Sequence, residues 1–261
     1  MGSLSSKLIV LTGAAGGIGQ AVAKALSAEG ARLVLTDRNE PSLTALNQAL
    51  GNKHHIVTAD ISTGLGRKTL HDYCESLFGA IDMVVNMAGI NRFALLSQHS
   101  DEDIERIIYI NLVSQIALTR LMLPLLLKKE QTVVVNFGST LGSIGLPGYS
   151  VYSASKFGLR GFSEALNREL MDTPVSVRYF APRATQTPLN DDKVSAMNAA
   201  LGNAMDSPEV VAQAFIKFLQ QSTNRYYLGW PEKLFVRINS LLPGLVDKSI
   251  FKQLPIIKRF L

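Results

Sequence analysis

Seven apolar runs of strand length alternate with longer segments of helical period, and this alternation limits what the chain can fold into more than any other feature. Strands are expected at 8–11, 32–36, 55–59, 81–86, 132–137, 175–180 and 226–228. Helices are expected at 18–29, 41–50, 64–78, 102–127, 149–171 and 208–221. The short runs are rich in Val, Ile and Leu and do not alternate apolar with polar, as strands covered on both faces do not. Strand and helix in turn mean a parallel, doubly wound α/β sheet joined by right-handed crossovers. No repeat, low-complexity tract or linker interrupts the 261 residues, so a single domain over 1–261 is expected. Within it, 184–206 lacks a strong period and follows a strand end, where open α/β sheets bind ligands; it is expected to be a mobile substrate flap. Residues 230–261 form a C-terminal extension that Pro and Gly break into short helices.

A single cysteine, Cys74, excludes an internal disulfide framework and fits a reducing, cytoplasmic setting. The opening residues do not read as a secretory leader. Met1-Gly2-Ser3-Leu4-Ser5-Ser6 matches a short myristoylation pattern, although an ordinary start is the preferred reading. The net charge of +5 is uneven, because 234–261 carries Arg237, Lys248, Lys252, Lys258 and Arg259 against Asp247 alone. These charges sit among Leu, Ile and Phe with no nucleic-acid module, so nucleic acid is not an expected partner. The mixture points instead to peripheral membrane contact, or to packing over the substrate pocket or a neighbouring subunit. His54, His55, His71 and His99 show no metal-ligand spacing, and no metal is expected.

The first strand runs into Thr12-Gly13-Ala14-Ala15-Gly16-Gly17-Ile18-Gly19 and then a helix. Glycines permit the tight turn and let backbone N–H groups approach a pyrophosphate at the positive helix end. Asp37 closes the second strand 20 residues after Gly17 and can accept hydrogen bonds from ribose hydroxyls while repelling a 2′-phosphate. Arg38, beside it, could instead pair with that phosphate. NAD is therefore the expected cofactor and NADP the alternative. Tyr152 and Lys156 stand at i and i+4 on one helix face. A free Tyr titrates near ~10; an adjacent ammonium favours the phenolate and is expected to lower that value.

In this combination the chain resembles the short-chain dehydrogenase/reductase family in its single-domain, Rossmann-type form, over about the first 190 residues. The resemblance implies that the Thr12–Gly19 turn holds the cofactor and that Asp60 and Ile61 contact its adenine. Asn86-Met87-Ala88-Gly89 resembles the family's N-N-A-G turn, with Met87 replacing the second Asn and leaving a side-chain hydrogen bond in question. Asn111 matches the helix Asn that holds a water against the Lys. Ser139, 13 residues before Tyr152, matches the Ser that hydrogen-bonds the substrate oxygen. Pro182-Arg183-Ala184-Thr185-Gln186-Thr187 resembles P-G-x-x-x-T, in which Thr187 contacts the nicotinamide carboxamide. Arg183 replaces the Gly, and the sequence assigns it no role.

The implied enzyme moves a hydride between NAD(P) and a secondary alcohol or ketone (or aldehyde), using Asn111, Ser139, Tyr152 and Lys156. Leu95, Leu96, Leu146, Leu189 and Met197 fall where the family's pocket lies and favour a lipophilic substrate. An NADPH-dependent ketoreductase of the 3-oxoacyl or fatty-acyl type is the alternative. A non-catalytic dinucleotide-binding redox sensor is the reading from another class; such a protein would be free to lose these four residues. The resemblance also implies a homodimer or homotetramer paired through the long helices at 102–127 and 149–171.

Overall fold

A computed structural model describes residues 3–261; the Gly2 of the myristoylation pattern lies outside the described residues. Seven parallel strands form one sheet in the order β3-β2-β1-β4-β5-β6-β7. They are β1 (Leu8–Thr12), β2 (Arg32–Asp37), β3 (His55–Thr58), β4 (Met83–Asn86), β5 (Thr132–Phe137), β6 (Val175–Ala181) and β7 (Arg225–Tyr227). Alternate residues of β1 serve opposite faces. Ile9 and Leu11 join α1 (Gly17–Ala28), α2 (Glu40–Ala49) and α8 (Pro208–Gln220) in one core, while Leu8 and Val10 join α3 (Gly64–Phe78), α5 (Ser114–Leu126) and α6 (Ser150–Glu169) in the other. Both faces are covered, which is why the strand sequences are apolar throughout. The strand order reverses between β1 and β4, and a crevice opens at their carboxyl ends.

The expected helix at 102–127 is α4 (Asp101–Ile108) running through a π-helical turn (Tyr109–Val113) into α5. This Asp101–Leu126 run is long and apolar enough to span a bilayer. Leu118, Met122 and Leu125 are nevertheless fully buried against the sheet, so the core accounts for much of its hydrophobicity. The segment 184–206 contains a helix that its weak period did not announce, α7 (Asp192–Ala200), capped by Asp191 accepting from Val194 N. The extension folds as α9 (Glu232–Leu241) and α10 (Pro243–Ile257).

Candidate active site

β1 ends at Thr12, whose hydroxyl donates to Val85 O (3.3 Å) and accepts from Met87 N (3.1 Å) and Ala88 N (3.3 Å), joining the turns after β1 and β4. Gly13 has φ +67, and a Cβ there would stand 2.8 Å from Ala88 Cα. A Cβ on Gly19 would meet Gly13 O at 2.1 Å, so the turn closes only with hydrogen at both positions. Gly16 is the N-cap of α1, with no side-chain cap and no acid in the first turn. Gly16, Gly17, Ile18 and Gly19 open onto the main cavity, of 1060 Å³; the Gly16 amide closes the turn onto Gly13 O (3.1 Å), and those of Gly17, Ile18 and Gly19, in the first turn of α1, are left to meet an anion. This cradle fits a dinucleotide's pyrophosphate.

At one end of the cavity Asp37 accepts from Ala15 N (3.3 Å) and Asn39 N (3.1 Å). Arg38 lies on the same wall, as do Asp60 and Ile61. Burial pushes the Asp60 carboxyl up, but hydrogen bonds from Ser62 and the Arg38 and Arg106 cations outweigh it and hold it below the usual carboxylate range. Ala88, Gly89, Pro182 and Thr187 also line the cavity.

Asn86 does not. Its side chain is fully buried behind the wall and donates to Thr119 Oγ1 (2.9 Å) and Asn136 Oδ1 (2.8 Å), tying β4 to β5 and α5. The expected ligand contact is thus a structural clamp, because the end of a central strand faces core on both sides. Met87 packs against the core instead of hydrogen-bonding, and Gln115, which the sequence reading missed, holds the turn by donating to Ala88 O (2.6 Å).

Tyr152 and Lys156 rise from α6 onto the wall opposite, where Ser139 arrives from β5. Lys156 Nζ lies 5.8 Å from the Tyr152 ring centroid and donates to Phe137 O (2.9 Å). Ser139 Oγ accepts from Leu141 N (3.1 Å) and hydrogen-bonds Tyr152. Tyr179 fixes the Ser139 backbone, donating to its carbonyl (3.2 Å) and accepting from its N–H (3.3 Å). A Cβ on Gly138 would fall 2.0 Å from the Tyr179 ring, so only glycine admits this brace.

The expected lowering of the Tyr152 pKa by Lys156 is not what burial produces. Desolvation raises Tyr152 to about 12, opposed only by the Ser139 hydrogen bond, and lowers Lys156 to about 8. With both groups enclosed, the loss of water costs each charged form more than their separation returns. Asn111 stands in the π-helical turn between α4 and α5, close to Lys156. Its Oδ1 accepts from Ile90 N (2.8 Å), and its Nδ2 donates to Ile90 O (2.8 Å) and Ser155 Oγ (3.1 Å). Its amide is therefore engaged beside Gly89, where a Cβ would stand 3.2 Å from Asn111 Oδ1 and 3.7 Å from Lys156 Nζ.

The far end of the cavity is apolar. Tyr149, Met197 and Ile257 form a buried cluster with Phe93, Leu146 and Leu201 around them. Leu146, Leu189 and Met197 line it as expected, whereas Leu95 and Leu96 are exposed and outside it, on a loop turned to solvent. The extension does pack over the pocket: Phe235, Val246 and Ile250 face the cavity. Arg183, without positive φ, pairs with Asp206 at the end of the flap and reaches Glu232 and Trp230 O at the start of the extension. His71 stands with Asp72 and Glu75 on the surface of α3, outside the cavity.

The short chain dehydrogenase family matches residues 7–198. The chain is 33% identical over 218 residues to the 3-oxoacyl-[acyl-carrier-protein] reductase FabG of Haemophilus influenzae, covering 80% of this chain and 90% of that protein. A short-chain dehydrogenase/reductase from Burkholderia phymatum, solved in complex with NAD, superposes with TM-score 0.84 at 22% identity over 94% of this chain and 96% of that one. A metagenomic short-chain oxidoreductase in complex with NADP superposes with TM-score 0.74 at 25% identity, over 87% and 98% of the two chains.

Proposed function

The chain belongs to the short-chain dehydrogenase family and is an oxidoreductase; from that premise we propose that it interconverts a lipophilic secondary alcohol and its ketone, or an aldehyde, with Tyr152 as acid and base. One observation carries this reading: Ser139, Tyr152 and Lys156 share a buried wall of the cavity whose other end is the uncapped start of α1 beside Asp37.

A nicotinamide dinucleotide would supply or take up the hydride at the substrate carbon. The glycine turn would hold its pyrophosphate, Asp37 its adenosine ribose, Asp60 and Ile61 its adenine, and Thr187 and Pro182 its nicotinamide end. NAD is preferred because Asp37 disfavours a 2′-phosphate; Arg38 keeps NADP as the alternative.

In reduction Tyr152 donates its proton to the carbonyl oxygen as negative charge develops there. A phenol held near 12 is fully protonated at neutral pH and ready to donate. Ser139 Oγ accepts from Leu141 N, and its O–H, which stabilises the Tyr152 oxygen, would turn to the substrate oxygen that Tyr152 protonates. Lys156, near 8, is mostly an ammonium at neutral pH. One of its hydrogens is held by Phe137 O and two remain for the ribose and the Tyr152 oxygen. Asn111 acts as a positioning residue that fixes Ile90 and the adjoining Gly89 beside Lys156. Oxidation runs the same path in reverse.

The likeness to a 3-oxoacyl reductase supports a second reading, reduction of a 3-oxoacyl thioester in the same pocket. Exposed Val113 and Phe157 suit pairing of the long helices in a homodimer or homotetramer. A panel of aliphatic ketones, aldehydes and 3-oxoacyl thioesters, followed by loss of nicotinamide absorbance with NADH and with NADPH, tests the proposal. Turnover with an apolar member is expected; cofactor binding with no turnover on any would favour the sensor.

A further inference from the structure

The inner sides of α9 and α10 are accounted for by the cavity, but their outer sides face solvent with large apolar residues. On α9, Leu234, Arg237 and Leu241 recur at i, i+3 and i+7 and form one exposed stripe. On α10, Val246, Ile250 and Ile257 turn toward the cavity, while Leu245, Lys248, Phe251 and Lys252 face outward. Leu241 is 79% exposed and Phe251 73%, values unusual for such side chains unless something covers them. Trp230, 68% exposed, stands on the cavity rim at the head of this face.

The charges on the face are predominantly basic. Arg237, Lys248 and Lys252 are exposed, Asp247 is the only acid within α9–α10 besides Glu232, and Glu232 is engaged by Arg183 at 3.4 Å. Lys248 and Lys252, interleaved with Leu245 and Phe251, do not suit the core of a protein–protein interface, from which Lys is depleted. They do suit a surface that offers both anionic groups and hydrocarbon. Helices of 10 and 15 residues fall short of the ~20 a bilayer span requires, so the pair would lie in the plane of the headgroups.

We propose that the outer face of α9 and α10 docks on an anionic lipid surface, with the cavity rim at Trp230 toward the bilayer, so that a lipophilic substrate enters from the membrane. This rests on the reading that the cavity takes such a substrate. Interleaved apolar and basic side chains supply the attraction, and the short distance from Phe251 to the cavity-lining Ile250 makes the docked face and the pocket wall two sides of one helix.

Sedimentation of the full chain with phosphatidylcholine vesicles, and with vesicles also containing phosphatidylglycerol, tests the docking. Binding to the anionic vesicles at low salt, and weakening at high salt, is expected. The triple variant Arg237→Gln/Lys248→Gln/Lys252→Gln should bind about 100-fold more weakly, since each basic residue near the surface contributes about 1 kcal/mol. Leu245→Ser/Phe251→Ser should also release the protein. None of these side chains lines the cavity, so turnover of a short, water-soluble ketone should stay unchanged in both variants. Wild-type protein left in the supernatant, equal binding to neutral vesicles, or variants that bind like wild type would overturn the proposal. So would a fall in the mass of either variant by light scattering, which would assign the face to a second copy of the chain. Failure of the reaction reading would show separately, as absent ketone turnover in wild-type protein that still binds vesicles.

Discussion

Arg183 grips Asp206 with two parallel hydrogen bonds, Nε to Oδ2 at 2.9 Å and Nη2 to Oδ1 at 2.7 Å. Its third nitrogen turns to Trp230 O at 3.2 Å and to Glu232, so one guanidinium ties the strand-end loop to the end of the flap and the start of the extension. The fork suits this geometry, and a lysine would not reproduce it.

Arg183→Ala should therefore loosen the substrate end of the cavity while leaving the chemistry intact. Asp206 is mostly enclosed, and stranding it is worth roughly 1–2 kcal/mol, between the exposed and buried cases. That corresponds to a fall of about 2–8 °C in Tm. KM should rise several-fold with kcat nearly unchanged, and Arg183→Lys should not restore it. Unaltered Tm and KM would remove the clasp from the account.

Asp37→Ala tests cofactor choice. Removing the carboxylate from the end of β2 takes away the group that disfavours a 2′-phosphate and leaves Arg38 on the same wall. The ratio of NADPH to NADH affinity should rise, read by quenching titrations on both forms. Tighter binding of NADPH than NADH by the wild type would show that Arg38, not Asp37, governs the site.

Lys156 should leave a signature in the pH dependence of stability. An unfolded lysine keeps its proton to about pH 10.5, whereas burial makes Lys156 release it near 8. Between those values the unfolded chain binds more protons, so this residue's contribution makes stability rise with pH across the window. Below about pH 8 it is a standing cost. Lys156→Met should thus gain Tm relative to wild type at pH 7 and lose that advantage toward pH 10, while losing activity at every pH. A Tm difference flat across this range would mean that Lys156 is not desolvated as its surroundings imply.

The sequence made the sheet legible because each central strand is apolar on both faces, and Ile9 and Leu8 do serve opposite cores. It also brought Tyr152 and Lys156 to one wall, since Y-x-x-x-K defines a helix face without reference to the rest of the fold, whereas Ser139 on the same wall was legible only through the family resemblance. What failed depended on distance or burial. The partners of Arg183 lie 23 and 49 residues away, beyond any local pattern. Asn86, expected to contact cofactor, turns its amide to Thr119 and Asn136, and Asn111, expected to hold a water against Lys156, has its amide engaged by Ile90 and Ser155, partners that no local spacing shows. The i, i+4 spacing put Lys156 near Tyr152 but said nothing of the desolvation that raises one pKa and lowers the other. The helix α7 escaped because its residues are mostly small or polar and carry little periodicity.

The central claim is that Tyr152 transfers the proton. Replacing it by Phe keeps the ring among Tyr149 and its neighbours and removes only the hydroxyl that Ser139 and Lys156 surround. The most direct measurement is kcat for Tyr152→Phe with an accepted ketone, alongside fluorescence titration of NADH binding to the same protein. A positioned acid contributes about 10²–10⁴ in rate, so turnover should fall by at least ~100-fold with NADH affinity within a few-fold of wild type. A Tyr152→Phe enzyme that binds NADH and turns over at a rate near wild type would contradict the account.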